Sequence, residues 1–455
     1  MSEATPDTAP RWLPWLIAVA GFAFDIAAYW PGQMSFDSAY TWWQARGGTT
    51  TDIAPPMLIL LWRVCDALLE GPGLVFALHL ALFWSGLALF AGALRICALR
   101  ISAPRTIALM LVAGFAPVPW LLRGHVWTDV GLFCALLFVT GALARAQATR
   151  QRGWLICALP ALFYAAAVRH NALPAVLPFA VWMAWLAGGG ALRKPRAWRT
   201  ALAAIALCAV FVAGAAMVNS RVDRHVPLWP AAAEWDLAAI SIASGEMLLP
   251  SFMIGPGLEV AELAEAFRHW SITPMLQNTR HGMRDPFMTD YTPEELSTLR
   301  NAWFAAIRAH PRAWLTHHWR QACALFGVHD PAWPRELIYV DDEFQYRDNP
   351  PVARNPSALH KALMRGAAKL STTPLLAGWP YFVIGLLAVP AAWRRRRGLA
   401  GTGALALLAS AFLYAIPLVL LVPAELRYLG WSCFASVLAA ATAWLAPYSI
   451  READC

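Results

Sequence analysis

Long apolar runs, separated by short basic or mixed-charge links, organise most of this chain. A run of about 18 residues or more is long enough to cross a bilayer as a helix. Such runs fall at roughly 12–30, 74–94, 104–121, 128–146, 154–169, 172–189, 200–218, 372–392, 400–422 and 428–447. Only Arg169-His170-Asn171 and Pro174 divide the fifth from the sixth. The piece from Met57 to Glu70 is apolar but carries Arg63 and Asp66. It is too short and too charged to span, and its pattern predicts a helix lying at the interface or packed against the bundle. The pattern as a whole predicts an all-α polytopic membrane protein of about ten transmembrane helices.

Two polar interruptions divide the chain. An N-terminal transmembrane module of about seven spans covers 1–218 and contains a first external loop, 31–73. A mainly helical external domain covers 219–371, and a C-terminal module of about three spans covers 372–455. Within the external domain, "TPEELSTLRNAWFAAIRAHPRAWLTHHWRQACALFGV" reads as two helices broken at His310-Pro311. Thr292 with Glu295 three positions on makes a capping box. In the second helix Trp314, His317 or His318, and Phe326 recur at helical spacing, which sets it on the membrane or against the bundle. His317-His318 then mark an amphipathic surface. Residues 335–357 are polar and proline-punctuated, the pattern of a loop.

Composition narrows the class. The chain is 59% hydrophobic and only 14% charged, which excludes an ordinary soluble domain. Its net charge of +8 comes from arginines in alternate links: Arg95, Arg100 and Arg105; Arg145, Arg150 and Arg152; Arg193 to Arg199; and Arg394 to Arg397. Short basic links stay in the cytoplasm, which puts both termini there. No contiguous basic patch supports nucleic-acid binding. The eight cysteines show no C-x-x-C or zinc spacing and read as small apolar fillers. Ala18-Val19-Ala20 offers a small-residue cleavage site, but Asp25 and the loop that follows favour a retained first helix. No P-loop, G-x-S-x-G or H-E-x-x-H motif is present.

On this topology the other face collects different residues: Asp37, Asp52, Arg123, His125, Asp129, Arg169, His170, Asn171, Glu425 and Arg427. Ionisable groups near hydrocarbon are expensive, so they pair, line a wet cavity or perform chemistry. One external cleft accounts for them most simply.

Three stretches carry a family resemblance: "PGQMSFDSAYTWWQARGG" running on to "DIAPPMLILLW", then "RGHVWTDV", then "VRHNALP". Together they resemble the GT-C class of membrane glycosyltransferases. The similarity is to bacterial members that use polyprenyl-phosphate sugars, related in plan to protein O-mannosyltransferases and lipid A aminoarabinose transferases. It covers the N-terminal spans, with "HPRAWLTHHWRQACALFG" similar to a helix before the last ones. The resemblance implies a GT-C-like bundle that moves a sugar from a polyprenyl-phosphate donor to a cell-envelope acceptor. The active site would lie on the periplasmic face of a bacterial inner membrane. It implies Asp37 as catalytic base and Asp129 as second acid. Asp52, His125, Arg169, His170 and Asn171 would bind substrate, and Arg427 would meet the leaving phosphate. Such donors require no nucleotide. A divalent metal ion held by Asp37 and Asp129 stays open.

Each residue has a plainer alternative. Asp37 is also placed to cap the helix that follows, Asp129 to cap the fourth span, and Asp52 to be a loop acid. Arg169, His170 and Asn171 suit helix ends, and Arg427 suits an ion pair with Glu425. Trp42 and Trp43 fit an aromatic belt. Two other functions share these features: a transporter or flippase for a lipid-linked or anionic substrate, and a polysaccharide polymerase or ligase. Against transport, there is no inverted repeat and no matching pair of broken spans.

Overall fold

A helix occupies each of the apolar runs, because in the absence of water only intrasegment hydrogen bonds satisfy the backbone. The computed structural model describes residues 10–97, 101–190, 197–328, 345–352, 356–421 and 423–445. The first helices are α1 (Leu13–Tyr29), α2 (Phe36–Ala45), α3 (Met57–Leu68), α4 (Gly73–Cys97), α5 (Ala103–Gly114), α6 (Pro117–Leu122) and α7 (Thr128–Thr149). They are followed by α8 (Gly153–Ala167), α9 (Leu173–Ala187) and α10 (Ala197–Asn219). A cap region then contributes α11 (Trp229–Ser244), α12 (Val260–Ala266), α13 (Thr273–Asn278), α14 (Pro293–Ala309), α15 (Pro311–Phe326) and α16 (Ala358–Leu370). The chain closes with α17 (Trp379–Arg394), α18 (Leu399–Leu421) and α19 (Gly430–Leu445). Among the described residues there is no strand beyond isolated bridges.

Among the described residues five helices are long and apolar enough to cross a membrane: α4, α7, α10, α18, and α19 with the turn before it. The most apolar of them, α10, has only 17% of its hydrophobic window buried against protein. A helix that is apolar all round and left uncovered needs lipid around it. This is a helical membrane protein.

At the centre of the bundle, α7 is buried on every side, and it meets α4 with almost no side chain between the backbones. A Cβ on Gly86 would lie 2.6 Å from the Phe138 amide nitrogen, and one on Gly141 would lie 2.3 Å from the Gly86 carbonyl oxygen. Small residues allow this approach, which in lipid replaces the hydrophobic drive that water supplies.

A buried charge pair crosses the same region. Asp25 of α1 accepts from Arg123 Nε at 2.9 Å and from its Nη2, and from the indoles of Trp84 at 2.7 Å and Trp120 at 3.3 Å. Arg123 also lies over the Phe83 ring, 4.0 Å from its centre. Both charged side chains are essentially inaccessible. The pair joins α1, α4 and the α6 turn, a structural role for two charges inside apolar surroundings.

The elements depart from the sequence pattern in several places. The run 104–121 is two helices, α5 and α6, since Pro117 suits a helix start and breaks continuity. The run 372–392 begins as a 3₁₀ turn, Pro374–Leu376, and becomes α-helical only at Trp379. Trp42 does not belong to an aromatic belt. It is buried against Trp62 and donates to Asp66 at 2.7 Å, so Asp66 is a tether for α3. Leu58, Ile59 and Trp62 of α3 are buried while Leu60, Val64 and Leu68 are exposed, so it packs on the bundle by one face.

The cap has its own apolar core around α11, including Leu237, Ile240, Met253, Leu263, Met275 and Leu299. Ala324, Leu325 and Ala367 belong instead to the bundle core, so the later part of segment 219–371 packs on the bundle. Thr292 and Glu295 make the reciprocal capping box at the start of α14, and α14 and α15 break at His310-Pro311. His317 and His318 are not on an amphipathic surface. Both are buried, at 3.6 and 3.1 Å from Asp236 Oδ1, while Asp236 Oδ2 accepts from the indoles of Trp303 and Trp314. The proposed loop at 335–357 falls largely outside the described residues.

Candidate active site

Four chain segments converge at one end of the bundle, and backbone pairing explains how. The first loop runs alongside the turn after α6: Gln33 N donates to Gly124 O at 2.8 Å, and Val126 N to Gln33 O at 3.1 Å. Ser38 Oγ donates to Val126 O at 2.8 Å, and Trp127 Nε1 to Ser35 Oγ at 2.7 Å. These bonds stitch the N-terminus of α2 to that of α7. Asp37 and Asp129 each sit in the first turn of their helix, where the helix dipole favours a negative charge. Neither is the cap residue; Ser35 and Trp127 hold those positions.

Each carboxylate instead faces an arginine from elsewhere. Arg427 Nη1 reaches Asp37 Oδ2 at 2.5 Å, its Nε binds Glu425, and Nη2 donates to the Tyr428 hydroxyl at 3.2 Å. Arg169, in the turn between α8 and α9, lies 2.6 Å from Asp129 Oδ1. It also donates to Thr128 Oγ1 at 3.2 Å and to Asn171 Oδ1 at 3.3 Å. Both guanidinium carbons lie 5.0 Å from the centre of the Tyr428 ring, so one aromatic side chain is shared by the two ion pairs. Arg427 also lies 5.0 Å from the Trp127 ring centre.

Exposure differs within the group. The Asp37 side chain is 53% exposed, whereas those of Arg427 and Asp129 are 13% and 8%. Burial pushes the Glu425 carboxyl up, against the pull of Arg427. The arrangement is thus a half-open carboxylate above a mostly buried pair of cations. An arginine has five N–H donors. Among the described residues, the contacts leave Nη2 of Arg169 and one hydrogen on each terminal nitrogen of Arg427 for an anionic ligand.

Not every residue singled out from sequence joins this group. Asp52 accepts from His225 Nδ1 at 2.8 Å and from the Val226 amide at 2.7 Å, and its carbonyl oxygen meets His170 Nε2 at 2.9 Å. Thr50 binds Asp223 alongside. The Asp52 carboxylate therefore fastens the first loop to the chain after α10, and His170 ties the same loop to the turn between α8 and α9. His125 is buried, with Nδ1 on the Leu122 carbonyl and its ring stacked on Trp127 at 3.9 Å. It backs the Trp127 wall. Asn171 orients Arg169.

Other members were not singled out as site residues. Glu425 and Tyr428 flank Arg427 in "ELRY", where the charges are visible but their partner, 390 positions away, is not. Tyr414 of α18 is buried within electrostatic reach of Arg169 and Asp129, yet in sequence it is one aromatic among many. The donor set does not fit a divalent ion: among the described residues no group of three His, Cys, Asp or Glu side chains is arranged to hold a metal ion. Asp37 and Asp129 each face an arginine instead. No protein-family model matches the chain, and no curated protein matches it significantly.

Proposed function

We propose that this chain is a membrane glycosyltransferase of GT-C type, moving a sugar from a polyprenyl-phosphate donor to a cell-envelope acceptor. The observation that carries the reading is the pair of carboxylate–arginine contacts around Tyr428. It brings a half-exposed carboxylate and two fixed cations with spare donors together at one end of the bundle. In the reaction the acceptor oxygen or nitrogen attacks the anomeric carbon, and the bond from that carbon to the phosphate oxygen breaks. The bonding electrons leave on the phosphate, and the nucleophile's proton passes to Asp37. A general base contributes ~10²–10⁴-fold to such a step. Arg427 and Arg169 neutralise the departing lipid phosphate through planar, permanently charged forks. Preorganised charge of this kind needs no rearrangement as the negative charge develops.

On this reading the apolar helices make about ten spans, and the basic links keep both termini in the cytoplasm. The Arg427 group then faces the periplasm of a bacterial inner membrane. The test is transfer of radiolabelled sugar from a panel of polyprenyl-phosphate sugars by membranes containing the parent, Asp37→Asn or Arg427→Gln. Transfer by the parent that collapses in both variants supports the reading. No transfer from any donor, with flux across proteoliposomes instead, overturns it in favour of transport.

A further inference from the structure

Away from the Arg427 group, the cap contains a cavity of about 690 Å³ between α11 and α15. That volume suits a small organic ligand. Its polar lining is basic: His269, His310, Arg312, His317 and Arg320, with no carboxylate among the lining residues. Arg312, Thr316 and Arg320 are spaced i, i+4, i+8 on α15, which places them on one face of the helix, all toward the cavity. The remaining wall is apolar, from Ala239, Ile242 and Ala243 of α11 together with Phe267 and Ala309.

The basic groups are ordered among themselves. Arg320 Nη1 lies 3.0 Å from His269 Nε2, and His269 Nδ1 lies 3.0 Å from His317 Nδ1. Arginine only donates, so His269 Nε2 accepts and its proton sits on Nδ1. That proton is donated to His317 Nδ1, which puts the His317 proton on Nε2, toward Asp236. The negative charge of Asp236 is therefore met behind the wall, by two imidazoles and two indoles. It does not cancel the arginines at the cavity mouth. Arg312 has no hydrogen bond or ion pair among the described residues.

We infer that this cavity binds a phosphate monoester carried on an organic body. Two guanidinium groups on one helix face match the charge of about −1.5 to −2 on a phosphate monoester, and their forks match its oxygens. The apolar wall takes the body. The cavity also adjoins the turn that carries Arg427. The residue after His269 is Trp270, whose carbonyl accepts from Ala424 N at 3.0 Å, directly before Glu425. The inference rests on none of the transfer chemistry.

The experiment is titration calorimetry on the full chain in detergent micelles, with glucose 6-phosphate as a soluble probe and lysophosphatidic acid as a lipid-borne one. Saturable binding of at least one is expected, and which one binds identifies the source of the phosphate. Arg312→Gln/Arg320→Gln should weaken that binding at least about tenfold, as loss of charge-assisted bonds to phosphate requires. Both side chains are exposed, so the fold is retained. Ala243→Trp, which fills the mouth without changing charge, should weaken it as well, and the binding that depends on Arg312 and Arg320 should persist in Arg427→Lys. Absence of saturable binding by either probe overturns the inference. So does unchanged affinity in the double variant, or loss of binding in Arg427→Lys alone, which would place the phosphate at the other site.

Discussion

Arg427 donates from Nη1 to Asp37 Oδ2 at 2.5 Å, joining the first loop to the turn before the last helix across 390 positions of sequence. Because Asp37 is half exposed, the pair adds only ~0–1 kcal/mol to stability. Asp37→Asn is therefore expected to leave the melting temperature nearly unchanged while sugar transfer falls ~10²–10⁴-fold. Arg427 keeps Glu425 and Tyr428 in that variant, so its position persists. Transfer rates and circular-dichroism melts on the same preparations decide the point. A loss smaller than about tenfold, well under what a base contributes, would remove Asp37 from proton transfer.

Asp52 provides the contrast. It lies in the same loop, yet its carboxylate is spent on His225 and Val226. Asp52→Asn should lower transfer only severalfold, with a reduced rate and an unchanged apparent affinity for donor. Protease sensitivity near residues 48–54 should rise as the loop loosens. A large increase in donor KM with no change in loop protection would instead make Asp52 a binding residue.

The helices were largely legible because their cause is local: an apolar run that must satisfy its own backbone. Pro117 and Pro380 shifted helix starts within runs that hydropathy treats as continuous. Site membership was less legible, since it depends on partners far apart. Asp37, Asp129, Arg169 and Arg427 stand out as charges beside apolar runs. Asp52 stands out equally, and only its contact with His225 separates it from them. Tyr414 carries no charge to mark it, and Trp42 and His317 look like surface residues until Asp66 and Asp236 supply their partners.

Asp25 and Arg123 form the buried pair whose disruption should be felt most in folding. Removing one partner leaves the other charge uncompensated in an apolar setting, a loss of about 3–5 kcal/mol. Arg123→Met should therefore unfold at distinctly lower denaturant in micelles. Asp25→Asn/Arg123→Met removes both charges and leaves an amide oxygen for Trp84. It should recover most of the loss. Equal stability of the single and double variants would show that the charge of Asp25 is not what the arginine compensates.

His317 sets a pH limit on the cap. Burial, partly opposed by Asp236, pulls its pKa down from 6.5 to about 3. Between those values the unfolded chain binds a proton that the folded chain refuses, so ν for the unfolded state is the larger and stability rises with pH. The contribution is complete above about pH 6.5, the unfolded value, and drains away as pH falls toward 3. Tryptophan fluorescence can follow this, since the Trp235 ring centre is 4.9 Å from that of His317. The cap of the parent should melt at lower temperature at pH 5 than at pH 7.5. His317→Gln should be less stable at pH 7.5 but show a flatter dependence, because glutamine has no proton to gain. An equally steep dependence in the variant would assign the acid sensitivity to another group.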